Sequence, residues 1–194
     1  MGRPKKYDPD EVLDKAMTLF HRKGFHSTST PEIVEQVGIN KFSLYAEFGS
    51  NKKLFDRALI RYYEVNFQNN FGFLEATTAG IDEIKLCFEA FLGDNDDNPG
   101  CMLCNTSIEF SNQDAASNLV LEHYFKRIPA AVKNSLDNAA AEGCLIKGLD
   151  TANTAHLLNS IILGLLVQLR AKASASQLRQ SCESALTYVE SICS

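Results

Sequence analysis

The sequence lacks any long unbroken apolar run. Its most apolar stretch, Leu157 to Leu169, is interrupted by Asn159, Ser160 and Gln168. A membrane-crossing helix needs about 20 apolar residues, so this stretch reads as a buried core or interface helix. The opening residues Met1-Gly2-Arg3-Pro4-Lys5-Lys6 are not followed by the apolar segment of a secretory signal. The expectation is a cytoplasmic protein whose six cysteines are mostly reduced. No apolar–polar alternation of strand length is present, nor any internal repeat. Glycine (11) and proline (5) are too sparse for collagen, and 45% hydrophobic residues exclude extended disorder. Excess basic charge is also missing: 19 Lys+Arg face 24 Asp+Glu, a net charge of −5. A pI near 5.4 argues at first sight against a nucleic-acid binder.

The charge is unevenly spread, however. Residues 1–66 carry 11 basic and 9 acidic side chains, whereas residues 67–194 carry 8 and 15. Within 15–61 the balance is 8 basic to 4 acidic. The acidity therefore belongs to the C-terminal part. The chain has 194 residues, and a fold of that size buries up to about 70% of its unfolded surface. No disulfide or metal is needed to hold it.

Helical punctuation runs from end to end. Asp8-Pro9-Asp10-Glu11 supplies a cap, a first-turn proline and first-turn carboxylates. Val12, Leu13, Ala16, Met17 and Phe20 then recur at helical spacing. Ser29-Thr30-Pro31-Glu32 has the S-x-x-E pattern of a capping box. Gly38 ends that short helix, Asn40 starts another, and Gly49-Ser50 closes it and caps a fourth. Further helices are predicted near 81–92, 101–111, 114–142, 151–173 and 176–192, with Pro129 kinking or splitting the long one. The fold class is all-α.

Two short helices joined by a tight glycine turn form a helix-turn-helix, whose second helix enters the major groove of DNA. That second helix would be Asn40 to Phe48. Its polar side offers Lys41, Ser43, Ala46 and Glu47, and lysine and serine can reach phosphates or base edges. The tail with Arg3 and Lys5 is a flexible basic arm (residues 1–8) suited to the minor groove.

Residues 9–62 resemble the DNA-binding domain of the tetracycline-repressor (TetR) family. The likeness is carried by Ala16, Phe20, Gly24-Phe25, Thr28-Ser29, Ile33, Gly38-Ile39, Lys41, Ser43-Leu44-Tyr45, Phe48, Ser50 and Leu54-Phe55, at ungapped spacing. Gly100-Cys101-Met102-Leu103-Cys104-Asn105-Thr106 is similar to a segment found in one branch of the family. The resemblance implies a three-helix DNA-binding domain (9–66) and a helical-bundle domain for effector binding and dimerisation (67–194). It implies a homodimeric regulator, expected to be a repressor, on a palindromic operator of double-stranded DNA. Tyr45 would contact a phosphate through its hydroxyl, Lys41 a phosphate or base edge, and Ser29 or Thr30 a phosphate at the start of their helix. The family usually has lysine after the position of Ser50; here Asn51 stands there, followed by Lys52 and Lys53. Asn40, Ser43, Asn51 and Lys52 complete the expected DNA contacts.

Cys101-x-x-Cys104 can act as a redox pair or supply two metal ligands. No second CxxC or nearby H-x-x-H accompanies it, so neither metal nor cofactor is expected. The pair is a candidate thiol sensor. It also supports an alternative from another class, a thiol-dependent redox or electrophile-handling enzyme on a helical bundle. No catalytic base lies beside it in sequence. The Asp94-Asn95-Asp96-Asp97-Asn98 loop fails the calcium-loop pattern, because Pro99 and Asn105 replace the required glycine and glutamate. Phe67, Phe71, Phe88, Phe91, Phe110 and Tyr124 are candidates for lining an effector pocket between helices. Leu158, Ile161 and Leu165 on one helix and Leu178, Cys182, Leu186 and Val189 on the next are the expected dimer interface, with Gly164 allowing close helix approach.

Overall fold

The computed structural model describes residues 7–93 and 97–194. Arg3 and Lys5, and residues 94–96 of the polar loop, lie outside them. Among the described residues there are nine α-helices and no strand; one isolated antiparallel bridge joins Leu145 to Cys193.

The N-terminal helices are α1 (Pro9–Lys23), α2 (Thr30–Val37), α3 (Lys41–Phe48) and α4 (Asn51–Asn70). Each start satisfies its orphan N–H groups with a side chain, as the sequence predicts. Asp8 accepts from the Asp10 N–H, Asn40 from that of Ser43, and Ser50 from that of Lys53. Ser29 and Glu32 form the reciprocal box on α2. Between α2 and α3, Gly38 adopts φ +76°, the left-handed region that a side chain resists. Phe20, Ile33, Leu44, Leu54 and Phe55 are fully buried where these helices meet. Each contributes about 1.5–3 kcal/mol by leaving water.

The remaining helices are α5 (Ile81–Glu89), α6 (Met102–Phe110), α7 (Ala115–Ala141), α8 (Thr151–Arg170) and α9 (Ala175–Ser191). They fall close to the predicted segments. Of the two outcomes expected at Pro129, a kink or a split, the split does not occur: α7 runs on through it. The proline removes one backbone donor, but its buried neighbours Ile128, Ala131 and Val132 pack the helix on both sides of the gap.

The apolar stretch from Leu157 belongs to a helix of 20 residues, α8, which by length and composition alone could cross a membrane. Its inner row Leu158, Ile162, Leu165 and Leu169 is instead buried in the fold, which packs α8 against α7 and α9. This row bears on the expected dimer interface, five of whose residues are buried within the single chain. Leu158, Leu165, Leu178, Cys182 and Val189 already face the core of their own chain and keep no surface for a partner. The outward row lies one step round the helix: Leu157 and Val167 are exposed, Ile161 half-buried, and Gly164 open to solvent. Of the other expected interface residues, Leu186 is half-buried.

Candidate nucleic-acid interface

Helix α3 is held from beneath by Leu44 and Phe48, which leaves Lys41, Phe42 and Ala46 exposed and Ser43, Tyr45 and Glu47 partly so. Lys41 Nζ lies over the Tyr45 ring, 5.5 Å from its centroid. Tyr45 is tied sideways as well. Its hydroxyl is 3.3 Å from Thr30 Oγ1 at the start of α2, and Asn51 Nδ2 at the start of α4 donates to that same Thr30 oxygen at 2.8 Å. Three helix starts or faces therefore meet at one hydroxyl group. The other Asn51 amide atom, Oδ1, is buried without a partner.

The other expected DNA residues are placed as follows. Ser29 is committed to Glu32, which accepts from its N–H and its hydroxyl at 2.8 and 2.7 Å. Glu32 is also paired with Lys23, and that ion pair, with the Ser29 bonds, holds its carboxyl down at about 2. Asn40 serves as the α3 cap. Lys52 departs from expectation. Its ammonium is shared between Asp56 and Asp114, the latter at 2.7 Å, and stands 5.4 Å from the Phe110 ring centroid. Burial opposes its charge, but the two carboxylates outweigh that and raise its pKa. It is a brace between α4 and the start of α7. The next residue, Lys53, is exposed and has no ion-pair partner among the described residues.

Two residues escaped sequence reasoning. Tyr7 lies just after the basic arm, and its hydroxyl donates to Glu47 Oε2 at 3.3 Å, so the chain entering α1 rests on α3. Phe42 is the other. The aromatic beside the Arg3–Lys6 run was a readable signal for Tyr7; a phenylalanine off the Leu44–Phe48 stripe of α3 was the signal for Phe42.

Polar contacts from α6, from the residue pair before it and from the end of α8 hold the C-terminal end of α1 and the turn after it. Glu109 accepts from the backbone N–H groups of Phe25 and His26 at 3.1 and 2.6 Å. Gly100 C=O lies 2.8 Å from His21 Nε2, and Arg170 donates to Arg22 C=O at 2.8 Å. Gly100 has φ +75°, and a Cβ there would stand 2.6 Å from Leu166 O, so no larger residue fits this strap. Burial lowers the His21 pKa, against the hydrogen bond to Gly100, and the Arg170 and Arg22 charges lower it further.

Beside His21 lies a cavity of about 230 Å³, lined also by Tyr62, Asn66, Phe71, Cys87, Phe91 and Leu166 among others. Phe71 and Phe91 are the expected aromatics that reach it. Phe67, Phe88, Phe110 and Tyr124 do not line it. Phe67 stacks under Arg127 at 3.8 Å, Phe88 is core, and Phe110 joins Phe25, His26 and Phe55 in a ring cluster. Tyr124 Oη sits 3.3 Å from Cys101 Sγ.

Cys101, the residue that precedes α6, and Cys104 in its first turn are both buried. Burial pushes the Cys101 thiol up, but hydrogen bonds from Cys104, Tyr124 and the backbone outweigh it and bring it down to about 7. Cys104 is driven upward, first by its bond to Cys101 and then by burial. Hydrogen bonding within the pair thus lowers the Cys101 thiol and raises that of Cys104. Among the described residues no group of metal-ligating side chains is assembled.

The chain matches two sequence profiles: bacterial regulatory proteins of the tetR family over residues 12–58, and a tetracyclin repressor-like C-terminal domain over residues 80–186. It is 30% identical over 185 residues to the HTH-type transcriptional repressor ComR of Escherichia coli K12, covering 92% of this chain and 87% of ComR. Solved structures that share its fold include the following two. One is the TetR family regulator CifR, as a cysteine mutant on 26-bp double-strand operator DNA (TM-score 0.82, 22% identity, 96% and 98% of the two chains). The other is the reduced form of E. coli NemR (TM-score 0.79, 20% identity, 95% and 96%).

Proposed function

The chain belongs to the tetR family of bacterial regulatory proteins, and on that premise we propose that it is a homodimeric repressor released from a palindromic operator by a small effector or by thiol modification. It is a DNA-binding transcriptional regulator; the repressor sense is supported by the likeness to ComR. The observation that carries the reading is the outer face of α3. Lys41, Ser43 and Tyr45 all reach solvent there, on a helix anchored in the core by Leu44 and Phe48. A helix so mounted fits the major groove, with its N-terminal residues toward the bases. Tyr45, Lys41, Ser43 and Lys53 are assigned to the DNA, with Arg3 and Lys5 of the arm. Thr30 and Asn51 support Tyr45, and Lys52 is left to its interdomain brace.

We place the division of labour at residues 1–8 for the arm, 9–66 for DNA binding and 67–194 for effector response and dimerisation. Helix α4 runs unbroken across residue 66, so a change in the C-terminal part reaches the DNA-binding part through a rigid rod. The partner subunit is assigned to the outward row Leu157, Ile161, Gly164 and Val167 of α8, where contiguous apolar surface has no cover in the single chain. The effector is assigned to the cavity beside His21, or to modification of Cys101, whose thiol is lowered but whose side chain is buried in the single chain.

A gel-shift titration with the intergenic DNA upstream of the coding sequence tests the reading. The wild type shifts this DNA at low salt, and the Lys41→Ala, Tyr45→Phe double variant does so only at far higher concentration. If no fragment shifts at low salt while the protein turns over a disulfide substrate, the regulator reading fails. Release by oxidant or electrophile is expected to vanish in the Cys101→Ser, Cys104→Ser double variant; unchanged release there assigns the switch to the cavity alone.

A further inference from the structure

Phe42 stands 85% exposed at the second position of α3. Leu44 and Phe48, which anchor the helix, lie on its opposite side, so the Phe42 ring has no route into the core. It takes part in no ring pair or cation contact among the described residues. Its surroundings on the helix are Lys41, Ser43, Tyr45 and the small, exposed Ala46. This is one isolated ring among polar neighbours, unlike the broad apolar patch that would suit a protein partner.

The first residues of a recognition helix are those that reach base edges. A phenyl ring cannot exchange hydrogen bonds with them. The major groove offers one apolar feature with sequence information, the C5-methyl of thymine. Wedging a ring between base steps is a minor-groove device, which a helix seated in the major groove does not use. We infer that Phe42 is a specificity-determining residue that reads a thymine methyl in each operator half-site. This rests on the DNA-binding reading of α3, and it adds a base identity that Lys41 and Tyr45 do not supply.

The test begins with duplexes enriched from a random-sequence pool by the full-length protein. Each thymine of the enriched duplex is then replaced singly by deoxyuridine, which removes the methyl and nothing else. Wild-type affinity is expected to fall about four-fold for each recognised methyl, the worth of one buried carbon group. The sensitive position should recur once in each half-site. Phe42→Ala should bind the thymine and deoxyuridine duplexes equally. If the wild type is indifferent to every deoxyuridine, or Phe42→Ala keeps the same sensitivity, the inference is overturned while DNA binding stands. A weakening by Phe42→Ala that is the same on both duplexes also overturns it, by pointing to a wedge. Failure to enrich any duplex overturns both readings.

Discussion

The three side chains at the DNA face form a directed chain. Asn51 donates to Thr30 Oγ1, and Thr30 can donate to Tyr45 Oη, which leaves the tyrosine proton for a phosphate oxygen. Asn51 thus works through Tyr45, and a double-mutant cycle separates this from a direct contact. Tyr45→Phe should weaken DNA binding at least tenfold, the scale of a hydrogen bond to a charged group. Asn51→Ala should cost roughly threefold in the wild type and nothing in the Tyr45→Phe background. Equal costs in both backgrounds would show Asn51 touching the phosphate itself. A second residue-scale prediction concerns Cys101. Its alkylation, followed by mass spectrometry against pH, should rise with a midpoint near 7, and Tyr124→Phe should move that midpoint up. A wild-type midpoint at about 8.5, the ordinary thiol value, would mean that the surrounding hydrogen bonds do not hold the thiolate. Lys52 shows why such detail escapes a sequence. Its neighbours in sequence suggest a phosphate ligand, but its partner Asp114 is distant in the chain and meets it only in the fold.

The elements themselves were largely legible. Capping boxes, first-turn prolines and glycine stops are local chemistry, and the starts of α1 to α4 follow from them. The phase of α8 and α9 was not legible. Both rows of α8 are apolar, and periodicity alone does not say which row faces the chain's own core. The strap from α6 to α1 was equally invisible, because it uses backbone groups of Gly100, Phe25 and His26. It carries a pH dependence. The folded pKa of His21 lies below its ordinary value of about 6.5, so the unfolded chain binds more protons. The stability it contributes is fully present above about pH 6.5 and is lost as pH falls toward the lowered value. The urea midpoint of the wild type should therefore drop between pH 7.5 and 5.5 by more than that of His21→Gln. Parallel drops would remove His21 from the account.

At the scale of the whole molecule, the outward row of α8 decides the assembly. Ile161→Arg on the outward row of α8 should yield a monomer in sedimentation, with the thermal midpoint of the chain little changed and operator affinity reduced more than tenfold. A dimer that survives this change would place the interface elsewhere. The net charge of −5 sets the character of binding. The acidic C-terminal part repels the duplex, and few phosphates are neutralised by each chain. Raising salt from 50 to 200 mM should still cost roughly a hundredfold if the dimer neutralises about four phosphates. The most direct measurement of the central claim is a hydroxyl-radical footprint of the wild type on its enriched duplex. Two protected patches are predicted on one face of the DNA, centred one helical turn apart (about 10 bp) or a whole multiple of it, and both lost in Tyr45→Phe at the same protein concentration. A single patch, or two patches that survive Tyr45→Phe unchanged, would contradict a two-fold dimer reading DNA through α3.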